Sequence, residues 1–171
     1  DLDRSGRARV VVGARAAGGV DVADAHLAAA DRHRCGRPAV ERARALVAAF
    51  WPGPLTLVLR AQPSLMWDLG ETGGTVALRM PLHPVAIELL TATGPMAVTS
   101  ANVAGAAPPT DFLGAEEQLA DSVAIYLDAG ALPDSAPSTI LDLTGPVPRL
   151  LRAGAFDLDT LRTVCPEIVP G

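Results

Sequence analysis

The chain has 171 residues and a net charge of −5; 49% of its residues are apolar and only 4% aromatic. That suits one domain, since domains commonly run ~100–200 residues, with a core of Val, Leu, Ile and Ala. No apolar run approaches the ~18 residues of a membrane span, and residues 1–20 lack the apolar block of a signal peptide, so a cytoplasmic protein is expected.

The charge is uneven. Residues 1–45 carry nine Arg against six acids, and residues 46–171 carry five Arg against thirteen acids. An acidic main body argues against tight sequence-independent binding to nucleic acid. All fourteen basic residues are Arg, and there is no Lys. Cys35 and Cys165 match no metal spacing and read as free thiols in a reducing compartment, with a disulfide left open. His26, His33 and His83 suggest no metal site. The chain opens on Asp rather than Met, which is read as a trimmed start.

In chain order, Val10–Val12 reads as a short strand, followed by a break at Gly18–Gly19. Val22 to Asp31 is Ala-rich and reads as a helix. Ala39 to Phe50 is a stronger helix, with Val40, Ala43, Leu46, Val47 and Phe50 at helical spacing. Trp51-Pro52-Gly53-Pro54 stops it and leads into a strand from Leu55 to Leu59, with Thr56 a candidate to face a site. Gln62 to Gly74 reads as a loop with one helical turn around Leu65–Leu69. Thr75 to Arg79 is a strand stopped by Pro81. His83 to Thr93 is an amphipathic helix with Pro84 in its first turn and Gly94 at its end.

Met96 to Thr99 reads as a short buried strand and Ser100 to Pro109 as a loop of small residues. Thr110 or Asp111 caps a helix from Phe112 to Ala120. Val123 to Leu127 reads as a strand, Ala129 to Ala136 as a loop, and Thr139–Leu143 and Pro148–Arg152 as two more strands. A last helix runs from Leu158 to Val164, capped by Asp157 and ended before Pro166. Strands and helices alternate without a strict βαβ rhythm. The expected fold is therefore α/β, a twisted mixed sheet flanked by helices.

Four clusters carry candidate chemistry. Phe50-Trp51-Pro52-Gly53-Pro54-Leu55-Thr56 joins a helix stop to a strand. Thr75-Val76-Ala77-Leu78-Arg79-Met80-Pro81 ends a strand in an Arg, whose guanidinium can bind carboxylate or phosphate through two parallel hydrogen bonds. Met96 to Gly105 places Ser100 and Asn102 where a strand opens into a loop. Alternation puts both on one side, and the same residues also suit a turn that shapes the loop. Pro137-Ser138-Thr139-Ile140-Leu141-Asp142 and Leu150-Leu151-Arg152-Ala153-Gly154 bring two hydroxyls into one strand and an Arg out of the next; ordinary strand edges offer the same residues.

Together these segments resemble the YrdC/Sua5 family of threonylcarbamoyl-AMP synthases. Trp-Pro-Gly-Pro-x-Thr, Arg-x-Pro after a strand, Thr-Ser-Ala-Asn followed by Gly, Pro-Ser-Thr-Ile-x-Asp and Leu-Arg-x-Gly occur here in family order. The resemblance covers residues 45–156 of a single YrdC-like domain spanning 1–171. It implies synthesis of threonylcarbamoyl-AMP from L-threonine, bicarbonate and ATP with release of pyrophosphate, for modification of adenosine 37 in tRNAs. It implies that Ser100, Asn102 and Arg152 bind ATP, and that Arg79, Ser138 and Thr139 line the threonine or phosphate pocket. Mg2+ is expected on the ATP phosphates, with no protein metal site. The partners implied are the tRNA-modification proteins that use the product, with weak or no direct tRNA binding. No catalytic residue is assigned.

Residues 1–44 depart from the family pattern. Pro-Thr-Asp-Thr-x-Tyr-Gly-Leu and Lys-x-Arg-Pro are both missing, and the only tyrosine is Tyr126. Cys35-Gly36-Arg37-Pro38 is a superficial likeness to Lys-Gly-Arg-Pro, with thirteen residues between Arg37 and Trp51. The Arg-, Ala- and Gly-rich composition suggests an out-of-frame stretch of a GC-rich gene, which the other two reading frames of the DNA would test; a divergent native N-terminus is the alternative. Impaired activity is therefore expected. A non-catalytic nucleotide- or RNA-binding module is the competing reading, and the carbamoyl-transfer module of hydrogenase-maturation proteins is a third.

Overall fold

The computed structural model describes residues 10–12, 30–64, 72–132 and 136–171. The expected helix at Val22–Asp31, the break at Gly18–Gly19 and the turn around Leu65–Leu69 fall wholly or largely outside these residues. The chain forms two compact units, one of Asp1–Val98 with Pro137–Gly171 and one of Thr99–Ala136.

The first unit is organised around β2 (Leu55–Arg60), whose first five residues are all buried. Alternation along a strand sends successive side chains to opposite faces. Leu55, Leu57 and Leu59 join one apolar cluster, whereas Val58 joins a second, small one with Ala77 and Ile140. On either side of β2 lie β3 (Thr75–Arg79), antiparallel, and β5 (Thr139–Asp142), parallel. With β1 (Val10–Val12), β4 (Met96–Val98), β6 (Arg149–Arg152) and β7 (Val169–Pro170), the described residues form a mixed seven-stranded sheet in the order β4-β1-β3-β2-β5-β6-β7.

The large cluster lies on the helix-bearing face. α1 (Arg32–Phe50) supplies Ala43, Leu46 and Val47, α2 (Pro84–Thr93) supplies Ile87, and α4 (Leu158–Arg162) supplies Leu161. α3 (Phe112–Leu119) belongs to the second unit. α1 begins before the expected Ala39 because Asp31 caps it, its Oδ1 accepting from the His33 and Arg34 amides. Gly36 then breaks its regularity with φ of 74°, a conformation that glycine adopts without steric cost. Ala30, Ala39 and Ala43 are buried, so the residues just before position 45 share the core.

Two expectations are corrected. Val123–Leu127 forms no strand: after a 3-10 turn at Ala120–Ser122 the chain pairs with no neighbour, and Ile125 and Leu127 are exposed. β4 is present but not buried, because it is an edge strand that pairs with β1 alone; Met96 and Ala97 are exposed.

Candidate active site: an arginine rim on the sheet

The two Arg-bearing motifs meet at one end of the sheet. Leu57 pairs with Leu78, Thr56 with Ile140 and Ile140 with Arg152. Arg79 follows Leu78 at the end of β3, and Ser138 immediately precedes β5. By alternation, Arg79, Thr56 and Arg152 project on the face of Val58, Ala77 and Ile140, opposite the α1 core.

The helix-stop motif positions Arg79. The peptide between Trp51 and Pro52 is cis, and the Trp51 indole donates to Leu55 O at 2.7 Å. Gly53 lies against the end of β3, where its N–H donates to Met80 O at 2.8 Å and its carbonyl accepts from Arg79 Nε at 3.2 Å. A Cβ on Gly53 would overlap the Phe50 carbonyl oxygen. With Nε so engaged, the two terminal nitrogens of Arg79 make no hydrogen bond among the described residues.

The Leu-Arg-x-Gly motif positions Arg152. Ala155 N donates to Pro137 O at 3.0 Å, laying the chain after β6 across the entry to β5. Gly154 sits at the crossing, where a Cβ would overlap Pro137 O and crowd Ser138 C and Thr139 N. This close approach lets Arg152 grip Ser138: Nε and Nη2 donate to Ser138 O at 2.9 and 2.7 Å, and Nη2 also to Ser138 Oγ at 2.8 Å. Thr56 Oγ1, fully buried, lies 3.1 Å from Ser138 Oγ.

Burial, and then the charge of Arg152, push the Arg79 guanidinium below its ordinary value. Among the described residues neither arginine is ion-paired to a carboxylate. Two guanidiniums that feel each other's charge repel, and an anion between them relieves that repulsion.

Sequence reasoning placed Thr139 beside Ser138, but the two face different ways. Thr139 is fully buried, with its Oγ1 donating to Phe156 O and accepting from Phe156 N, both at 2.9 Å. Phe156 packs against the α1 core. Thr139 therefore fastens β5 to the segment before α4. The sequence marks Thr56 as a candidate to face a site, a hydroxyl on an otherwise apolar strand, and the structure sets it against Ser138.

In the second unit, Ser100 and Asn102 do not share a face as expected. β4 ends at Val98, so strand alternation stops before them; Ser100 is exposed and Asn102 is only 7% exposed. Asn102 Nδ2 donates to Val103 O and Ala106 O at 2.9 and 2.8 Å. Gln118 of α3 braces the same loop, accepting from Val103 N and donating to Ala107 O. Asn102 Oδ1 is buried with no hydrogen-bond partner among the described residues. Such an orphaned acceptor costs about 1–3 kcal/mol, which a donor on a ligand would recover.

Among the described residues no group of three or more His, Cys, Asp or Glu is placed to hold a metal, and no helix is long and apolar enough to cross a membrane. Cys35 and Cys165 are free thiols.

Comparison with known proteins agrees with this architecture. The family model for Sua5/YciO/YrdC, described as telomere recombination, matches residues 25–154, beginning ahead of the change in composition near residue 45. A Mycobacterium tuberculosis protein provisionally named threonylcarbamoyl-AMP synthase is 58% identical over 122 residues, which cover 71% of this chain and 56% of that protein. The Bacillus subtilis threonylcarbamoyl-AMP synthase is 36% identical over 129 residues, 74% of this chain and 37% of its own. The crystal structure of Pyrococcus abyssi Sua5 complexed with L-threonine superposes with a TM-score of 0.80 at 30% identity, over 96% of this chain and 45% of that one. Escherichia coli YciO shares the fold, with a TM-score of 0.67 at 23% identity over 89% of this chain and 69% of that one. The chain thus spans between a third and just over half of the length of these curated relatives. On the match across most of its length, the chain belongs to the Sua5/YciO/YrdC family.

Proposed function

We propose that this chain makes threonylcarbamoyl-AMP from L-threonine, bicarbonate and ATP, releasing pyrophosphate, to supply the threonylcarbamoyl modification of adenosine 37 in tRNAs. The observation that carries the reading is that Arg79 and Arg152 project on one face of the sheet, near enough for the charge of Arg152 to lower the pKa of Arg79, with no carboxylate ion-paired to either among the described residues. Every reactant except the threonine ammonium is anionic. The amine condenses with bicarbonate to a carbamate and water. A carbamate oxygen then displaces pyrophosphate from the α-phosphorus. Negative charge builds on oxygens at each stage, and fixed guanidiniums stabilise it without reorganising.

Arg79 and Ser138 are proposed for the threonine or phosphate end and Arg152 for the nucleotide. In the second unit, Ser100 and Asn102 are proposed as nucleotide contacts, with Asn102 Oδ1 waiting for a hydroxyl or amino donor. Thr139, expected beside Ser138 in the pocket, has its hydroxyl committed to Phe156. Mg2+ supplies charge neutralisation on the ATP phosphates and arrives with them, which suits a rim that offers cations rather than carboxylates. The acidic main body fits a cytoplasmic enzyme that passes its product to other tRNA-modification proteins while binding tRNA weakly itself.

The sequence has no Lys and hence no Lys-x-Arg motif, so turnover below that of relatives with the motif is expected. The same observation favours a second reading, a nucleotide-binding module without catalysis. Pyrophosphate release that depends on both L-threonine and bicarbonate supports the synthase; ATP binding without release supports the module.

A further inference from the structure

Ser138 is the most constrained polar group at the rim. Its Oγ accepts from Arg152 Nη2 at 2.8 Å, a bond whose direction is certain because a guanidinium only donates. Thr56 Oγ1 lies 3.1 Å from the same oxygen. Thr56 is 0% exposed, and its hydroxyl makes no other hydrogen bond among the described residues. Were Ser138 to donate to Thr56, the Thr56 proton would be buried without an acceptor. Thr56 therefore donates, and Ser138 accepts twice. A serine hydroxyl has two lone pairs and one proton, so with both pairs engaged only the proton remains, and no described residue accepts it.

We propose that Thr56 is a positioning residue that locks Ser138 as a hydrogen-bond donor to a planar oxyanion, either the carboxylate of an amino acid or bicarbonate, at the rim formed with Arg79 and Arg152. The proposal rests on the synthase reading and deepens it. It also excludes a role for Ser138 as base or nucleophile, since no lone pair is free to take a proton or attack. Thr56 itself touches no ligand; it acts through Ser138.

The test is calorimetric titration of L-threonine, bicarbonate and threoninol, which lacks the carboxylate, into the wild type, Thr56→Val and Thr56→Ser. Thr56→Val keeps the shape and removes the donor. The oxyanion that sits on Ser138 should bind it about fivefold more weakly, the scale of one hydrogen bond. Thr56→Ser restores the donor but not the methyl group, and should bind like the wild type even if it melts earlier. Weakening confined to L-threonine, with threoninol unaffected, identifies the carboxylate; weakening confined to bicarbonate identifies the carbonate. Binding unchanged in Thr56→Val, or equally weak in Thr56→Ser, overturns the positioning role while leaving the synthase reading in place. A folded wild type that binds neither oxyanion and releases no pyrophosphate overturns both.

Discussion

Replacing Gly154 with Ala tests whether the crossing at the end of β6 builds the rim. The added Cβ would overlap Pro137 O and press on Ser138 C and Thr139 N. All three are backbone atoms, two of them at the entry to β5, so no flexible side-chain tip can yield. Overpacking of this kind costs about 1–3 kcal/mol. For a chain of this size each kcal/mol lowers Tm by about 2–4 °C, so a loss of about 2–12 °C is expected. The same displacement moves Ser138 away from Arg152, so affinity for L-threonine or ATP should fall together with stability. Gly94→Ala is the control. Gly94 has φ of 78° but an added Cβ would meet nothing within 4 Å, so it should cost about 1 kcal/mol from backbone strain and leave ligand binding unchanged. Thermal melts and calorimetry on the two variants decide the matter. A Gly154→Ala protein with wild-type Tm and wild-type affinity would refute the crossing as the device that sets Arg152 over Ser138.

Two further predictions concern the core. Asp31→Ala removes the acceptor for the His33 and Arg34 amides at the start of α1 and should cost about 0.5–2 kcal/mol in urea unfolding, with Asp31→Asn much closer to the wild type. Burial first, and Glu167 second, push the Cys165 thiol from 9.0 up to about 11. Its folded value is raised, so its contribution to stability is complete below pH 9 and is lost as pH rises toward 11. The wild-type urea midpoint should therefore fall between these values more steeply than that of Cys165→Ala, and parallel pH profiles would contradict the shift.

Much of the fold was legible because strongly patterned segments met consistent punctuation. Ala39–Phe50 had helical spacing and a Pro-Gly-Pro stop; Leu55–Leu59 and Thr75–Arg79 had apolar runs bounded by turn residues. The failures have physical causes outside local sequence. Val123–Leu127 has the pattern of a strand but joins no ladder, and Ile125 and Leu127 stay exposed. β7 is only Val169–Pro170, held by Val169 N donating to Pro148 O, and no periodicity marks two residues ending in proline. The site was half legible. Arg79, Ser138 and Arg152 could be picked out as candidates, but whether Thr139 faced the ligand or the core depended on the hydrogen bonds of Phe156, seventeen residues away. Thr56 could be marked as a candidate to face a site, but its contact with Ser138, eighty-two residues on, is not legible in the sequence.

The most direct test of the central claim is pyrophosphate release from ATP by the wild type and by Arg79→Met, Arg152→Met and the double variant, with L-threonine and bicarbonate each supplied or omitted. The account predicts wild-type release only when both are present, and a drop in each single variant of at least about tenfold, the scale of losing one charged hydrogen bond. It predicts none from the folded double variant. Release by the double variant at the wild-type rate, or wild-type release that ignores threonine and bicarbonate, would contradict it.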